Sequence, residues 1–252
     1  MTGPLVVAAG PADEALARAC ARRLGAARLE RAAWEASDPP PVVVWCDADG
    51  PGLRGPPRGA AVRRPAPPPS ARPGRDPLLR ALGRPAAGLR VADATAGWGV
   101  DAGVMAAAGA AVVLCERSPA MALLLEAALA HWRADARPGA ERMTLLEGDA
   151  VALLGRLRDV DVVFLDPLFP EREARTTSAA GLRWLRDVAA WTQDASDDDA
   201  ALLAAARACA ERRVVVKRGR NDPYLAGVAP SGSVPGRTTR YDLYAGAATR
   251  TT

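Results

Sequence analysis

Six short apolar runs recur from residue 89 to the C-terminal region, each stopping at a charged or small residue: "LRVADAT", "AAVVLCE", "RMTLLEG", "DVVFLDP", "RRVVVKR" and "RYDLYAG". Between them lie stretches of helical periodicity, among them 119–133 and 197–211. Short β-branched runs alternating with helices predict a parallel sheet covered on both faces. In such a sheet, ligands bind beyond the carboxyl ends of the strands. Strand ends are therefore the place to look for chemistry.

A smaller unit precedes these runs. "PLVVAA" reads as a strand, "PADEALARACARRLG" as a helix closing on Gly25, and "PPVVVWCDADG" as a second strand followed by a turn. From Gly50 to Gly74 prolines and glycines dominate, which predicts an extended linker or irregular loop. Asp76 then caps a helix with Pro77 in its first turn. The expected division is a small α/β lobe over 1–60, a Pro/Arg-rich linker over 61–75 and the main domain over 76–252.

Composition narrows the chemistry. The chain has 252 residues, 49% of them hydrophobic, enough for a sizeable core. No apolar run approaches bilayer length, and the N-terminus lacks the basic start and apolar core of a signal peptide, so a cytoplasmic protein without membrane contact is expected. Cys20, Cys46, Cys115 and Cys209 are dispersed in apolar segments and read as free thiols. The single histidine, His131, lies in a helical stretch and reads as structural, so no metal site is expected. The net charge is +4, and Lys217 is the only lysine. Two clusters concentrate cations without acids, at 63–75 and 212–220. The second puts Lys217, Arg218 and Arg220 forward as RNA-phosphate contacts.

The first strand runs into "DATAGWGVDAG", where Gly97 and Gly99 permit a tight turn against a ligand. Together with Gly103 they also fit a variant dinucleotide loop. Asp93 separates the two readings: a carboxylate there repels a pyrophosphate but accepts hydrogen bonds from an ammonium, which S-adenosylmethionine (SAM) carries. Glu116 ends the second strand where an acid takes ribose hydroxyls, and Asp149 follows the third where it can accept from an adenine amine.

After the fourth strand, "DPLFP" (166–170) resembles the Asp/Asn-Pro-Pro-aromatic motif of methyltransferases acting on exocyclic amines of bases, with Leu168 in the second proline position. The resemblance implies that Asp166 and the Pro167 carbonyl accept hydrogen bonds from the amine while Phe169 stacks on the base. Such an amine is a poor nucleophile because its lone pair is delocalised, so acceptors and in-line placement are what the reaction needs.

"DATAGWGVDA", "LCERSPAMALLLEAAL", "DVVFLDPLFP", "RRVVVKRG" and "RYDLYAG" resemble, in order and spacing, the ribosomal small-subunit methyltransferase J family over about residues 60–247. That resemblance implies a Rossmann-like, seven-stranded class I SAM-dependent methyltransferase domain that methylates a guanine N2 in 16S rRNA, free or in the small ribosomal subunit. It implies cofactor contacts at Val100, Asp101, Glu116, Arg117, Asp149, Ala150 and Asp166. Arg172, Arg175 and Arg240 are candidate donors to the guanine edge. The chain departs from the family in three places. "SARPGRDPLL" lacks a Phe and most glycines of an Arg-Phe-Gly-Gly-Gly-like stretch, Trp98 replaces a smaller apolar residue, and "VKRG" stands where Pro tends to follow the Arg. Two other readings remain at this point: an amino-methyltransferase acting on adenine N6 or a protein glutamine, and a non-catalytic RNA-binding assembly factor.

Overall fold

The computed structural model describes residues 3–38, 41–56, 60–67, 76–83, 85–167, 184, 187–188, 191 and 198–247. The chain divides into two compact units. One comprises Met1–Pro65, Ser118–Ala128 and Leu168–Ala195; the other comprises Ala66–Arg117, Leu129–Pro167 and Ser196–Thr252.

The first unit is built on a four-stranded sheet of β1 (Leu5–Ala8), β2 (Ala27–Arg28), β3 (Val43–Asp47) and β4 (Gly50–Arg54), in the order β2-β1-β3-β4. Helix α1 (Glu14–Leu24) links β1 to β2 and ends on Gly25 in the left-handed conformation (φ 57°), where a residue without a Cβ is least strained. Helix α2 (Arg31–Ala36) contributes Trp34 to a core with Leu5, Val7, Val43 and Trp45. The Arg54 guanidinium lies over both indoles, 4.2 Å from the Trp45 centroid and 5.0 Å from that of Trp34.

Strand β4 corrects the expectation of an irregular segment from Gly50 onward. Its five residues pair antiparallel with β3. Pro51 is tolerated because β4 is the outermost named strand of the sheet, where a missing donor costs little. Gly52 is required: a Cβ there would lie 2.5 Å from Val62 Cγ1 and 2.9 Å from the Arg63 carbonyl.

In the second unit, α3 (Pro77–Leu82) starts at Asp76, whose side chain accepts from the Leu78 amide at 2.9 Å. The strands are β5 (Arg90–Asp93), β6 (Ala111–Glu116), β7 (Met143–Glu147), β8 (Val160–Leu165), β9 (Ala210–Gly219), β10 (Gly232–Pro235) and β11 (Thr239–Ala245). They form one sheet in the order β10-β11-β9-β8-β5-β6-β7. The five from β7 to β9 are parallel, and β11 runs antiparallel to both β9 and β10. Helix α4 (Val100–Ala107) connects β5 to β6; α5 (Pro119–Ala134) follows β6 in the chain, its residues up to Ala128 counted in the first unit; α6 (Ala150–Leu154) follows β7, and α7 (Asp199–Cys209) leads into β9. Val91, Ala92, Val162, Val163, Val214 and Val215 are fully buried, which explains why these strands read as continuous apolar runs.

The four cysteines are free. His131 is exposed on α5, with Nε2 3.5 Å from Asp135. Among the described residues no helix is long and apolar enough to cross a membrane, and no group of three or more His, Cys, Asp or Glu is arranged to hold a metal ion.

Candidate active site

The strand order reverses at β5, with β6 and β7 on one side and β8 and β9 on the other. Loops leaving β5 and β8 therefore diverge, and the crevice above such a switch point is where doubly wound sheets bind ligands.

Three strand ends on the β5–β7 side are tied together. Asp93 closes β5 at 2% exposure, and its Oδ1 accepts from the Thr95 amide at 3.1 Å. The loop then turns through Gly97 (φ 51°) and Gly99 (φ 71°), both left-handed, so a side chain at either would strain the backbone. This turn aims the Gly97 amide at Glu116 Oε2, 2.9 Å away at the end of β6. The Glu116 carbonyl in turn accepts from the Gly148 amide at 2.9 Å, just before Asp149. Asp149 is exposed and caps α6 by accepting from the Ala152 amide at 2.9 Å. Ala150 is the first residue of α6, Arg117 is half-buried after β6, and Val100 is 44% exposed at the start of α4.

The other side centres on Asp166. Its amide donates to Thr95 Oγ1 at 2.6 Å, which fixes the first residue beyond β8 against the loop beyond β5. Lys217, on β9, has its Nζ 3.0 Å from Asp166 Oδ2 and 2.7 Å from Asp101 Oδ2 in the first turn of α4. Burial works against the Lys217 charge, but Asp166 and Asp101 outweigh it and raise its pKa above the ordinary lysine value.

Asp93 responds in the opposite way. Burial is the main cause that pushes its pKa up to about 8; Asp101 and Asp166 add to this, while the Thr95 amide and Lys217 oppose it. Two carboxylates thus pair with one ammonium, and Asp93 stands beside them as an acid that these neighbours and its burial keep from ionising readily.

The basic cluster in the sequence predicts Lys217 on an RNA-facing surface, and the structure corrects this: with its side chain 20% exposed, it is the counter-ion of Asp101 and Asp166. The signal was its being the only lysine in an arginine-rich chain. A lysine ammonium is a compact point charge whose three donors can serve two carboxylates at once. Thr95 was missed altogether. Its two bonds to neighbouring strand ends have no signature in a local pattern.

Arg218 is also corrected as a phosphate contact. It is fully buried, and its guanidinium donates to the Pro223 carbonyl, with Nε at 2.8 Å. Alternation along β9 turns it to the face opposite Lys217. Arg240, expected at RNA or a guanine edge, is 14% exposed and donates to Asp242 and to the carbonyls of Gly219, Arg220 and Asp222. Arg220 is exposed, and Pro167 and Trp98 are half-buried. Phe169, Arg172 and Arg175 lie outside the described residues.

Residues 70–246 match the SAM_MT family of SAM-dependent methyltransferases. The chain is 45% identical over 179 residues to the ribosomal RNA small subunit methyltransferase J of Alkalilimnicola ehrlichii, covering 69% of this chain and 67% of that protein. To the protein of the same name from Halorhodospira halophila it is 44% identical over 177 residues, covering 68% and 65%. The chain thus aligns with about two thirds of the length of these relatives. The crystal structure of a SAM-dependent methyltransferase from Neisseria gonorrhoeae superposes with a TM-score of 0.67 at 27% identity, covering 96% of each chain. Its similarity spans both units of the fold, whereas the sequence matches to the curated relatives extend over about two thirds of the chain. The seven-stranded sheet and these matches together mean that the chain belongs to the ribosomal RNA small subunit methyltransferase J family of SAM-dependent methyltransferases.

Proposed function

We propose that the chain transfers the methyl group of SAM to the N2 amine of a guanine in small-subunit ribosomal RNA. The observation that carries this reading is Asp166, held at the end of β8 by Thr95 through its amide and by Lys217 through its carboxylate, beside the buried Asp93 on the neighbouring strand.

The residues present fit the cofactor. The loop from Asp93 to Asp101 contains no basic side chain to meet a phosphate, and it ends on carboxylates suited to an ammonium. Asp93 would take that ammonium, Glu116 the ribose hydroxyls and Asp149 the adenine amine. Val100, Asp101, Arg117 and Ala150 would flank them, as the family pattern implies. When bound, SAM supplies a methyl group already activated on a sulfonium.

The rest falls to this chain. Asp166 and the Pro167 carbonyl accept from the target amine, hold it in line and give the proton it sheds an acceptor within reach. Lys217 fixes the Asp166 carboxylate and balances its charge without donating to the substrate. Phe169 would stack on a base withdrawn from its helix, because the amine must reach the methyl donor.

The test is to incubate purified protein with SAM and unmethylated 16S rRNA or small subunits, digest the RNA and measure N2-methylguanosine by mass spectrometry. Wild type should form it, and Asp166→Ala should reduce turnover by roughly 10²-fold, the scale of losing one preorganised transition-state contact. A methylated adenine or a methylated protein glutamine instead would assign the site to a different amine.

A further inference from the structure

Arg218 and Arg240 brace one loop from two directions. Arg218 holds the Pro223 carbonyl, and Arg240 holds the carbonyls of Gly219, Arg220 and Asp222 at 2.8–2.9 Å while its Nε is anchored on the buried Asp242. The Asp222 carboxylate accepts from the Gly219 amide at 2.8 Å and closes the turn. Two arginines and two aspartates thus order six residues of surface backbone, and the loop ends at Tyr224. This residue is 45% exposed, one of few large hydrophobic residues at the described surface, and the Arg240 guanidinium lies 5.2 Å from its ring centroid. Leu225, immediately after it, is fully buried and pins the backbone beneath the ring.

A tyrosine backed by an immobilised guanidinium has one face held and the other open to solvent. Folding has already met the entropic cost of ordering that ring, which favours stacking of a flat partner on the open face. The surroundings indicate which partner. Arg220 and Arg237 are exposed, and neither makes an ion pair among the described residues. The Arg220 amide donates to the Thr238 carbonyl at 3.2 Å, so the loops carrying these arginines adjoin. An open aromatic face beside exposed cations is the composition of a surface that binds single-stranded nucleic acid.

We infer that Tyr224 is a stacking platform for an unpaired base of the RNA substrate, with Arg220 and Arg237 contacting the flanking phosphates. The inference rests on the proposed RNA substrate and adds to it a contact outside the reacting centre, since Arg218 and Arg240 lie on the face of the sheet opposite Lys217. It acts on RNA affinity and leaves the methyl transfer step untouched.

The experiment measures equilibrium binding of unmethylated 16S rRNA to the full chain, alongside RNA KM, kcat and SAM affinity, for wild type, Tyr224→Ala, Tyr224→Leu, Tyr224→Phe and Arg220→Ala/Arg237→Ala. Tyr224→Ala and Tyr224→Leu should weaken RNA binding about 5- to 100-fold, the range of one base–aromatic stack, with kcat at saturating RNA and SAM affinity unchanged. Tyr224→Phe should bind like wild type, because the ring and not the hydroxyl makes the contact. The arginine pair should lower the slope of log affinity against log salt by about 1 to 2 units, whereas Tyr224→Ala should leave it unchanged. Unaltered RNA affinity in Tyr224→Leu, or equal losses in Tyr224→Phe and Tyr224→Ala, overturns the platform. Wild type that binds rRNA through Tyr224 but forms no methylated guanine would remove the substrate reading and leave the platform standing; wild type that binds no rRNA removes both.

Discussion

The ammonium of Lys217 lies 3.0 Å from Oδ2 of Asp166, joining the end of β9 to the residue that follows β8. The same nitrogen reaches Asp101 in α4, so one side chain ties three elements beneath the candidate acceptor.

Replacing Lys217 with Met should leave two carboxylates, each about one quarter exposed or less, facing each other without a counter-ion. Breaking a largely buried pair from one side costs about 3 kcal/mol. Denaturant unfolding should show a loss of that order, with turnover lowered by at least tenfold. Adding Asp101→Asn to Lys217→Met should recover part of the stability but not the turnover. Full recovery of both would reduce Lys217 to a structural role.

Thr95 connects Asp93 to Asp166 through its amide and its hydroxyl. Thr95→Val keeps the shape but removes the acceptor for the Asp166 amide, a loss of about 1–3 kcal/mol when the donor stays buried. Turnover should fall about tenfold with RNA affinity unchanged, and Thr95→Ser, which keeps the hydroxyl, should restore most of it. Equal activity in the Val and Ser variants would mean that the bond positions nothing.

Asp93 gives the site a pH dependence. With its pKa near 8 in the free protein, the carboxyl is mostly protonated at pH 6.5. A bound ammonium favours the ionised form, so cofactor binding should release a proton and tighten as pH rises toward 8, by up to about tenfold per unit. Above that pH, the cofactor's own α-amino group begins to lose its charge, so affinity should pass through a maximum. In the free protein the sign is reversed. A carboxyl whose folded pKa is raised contributes stability that is complete below about pH 4 and is lost as pH rises through about 8. Calorimetry in buffers of different ionisation enthalpy checks the proton count, and Asp93→Asn should release none.

Gly55 meets Trp184 inside the first unit, where the Trp184 Nε1 donates to the Pro56 carbonyl at 3.1 Å. A Cβ at Gly55 would lie 2.9 Å from that nitrogen and 2.8 Å from Val42 Cγ2. Gly55→Ala should therefore lower stability by about 1–3 kcal/mol, the usual cost of overpacking. Thermal unfolding measures it, and an unchanged midpoint would mean that Trp184 yields without strain.

Much of the sheet could be read in advance, because burial on both faces leaves a continuous apolar run wherever a central strand passes. Asp93, Glu116 and Asp166 were legible for the same reason, as charges that terminate such runs. Strand β10, "GSVP", had no such mark. It lies at the edge of the sheet, mostly exposed, and its glycine, serine and proline read as a turn. Strand β4 was hidden in the same way by Pro51 and Gly52.

What the linear pattern could not contain was which charge meets which. "KRGR" presents its cations as one cluster, yet alternation along β9 sends Lys217 to Asp101 and Asp166, turns Arg218 into the opposite face, and leaves Arg220 exposed. The hydrogen bonds that build the site span 71 residues between Thr95 and Asp166 and 116 between Asp101 and Lys217. By itself the sequence determined where strands end and which residues stand there, because burial and turn formation depend on near neighbours. Only the tertiary structure decided that Lys217 serves the carboxylates and Arg240 the loop below Tyr224, because electrostatic partners are chosen by distance in space.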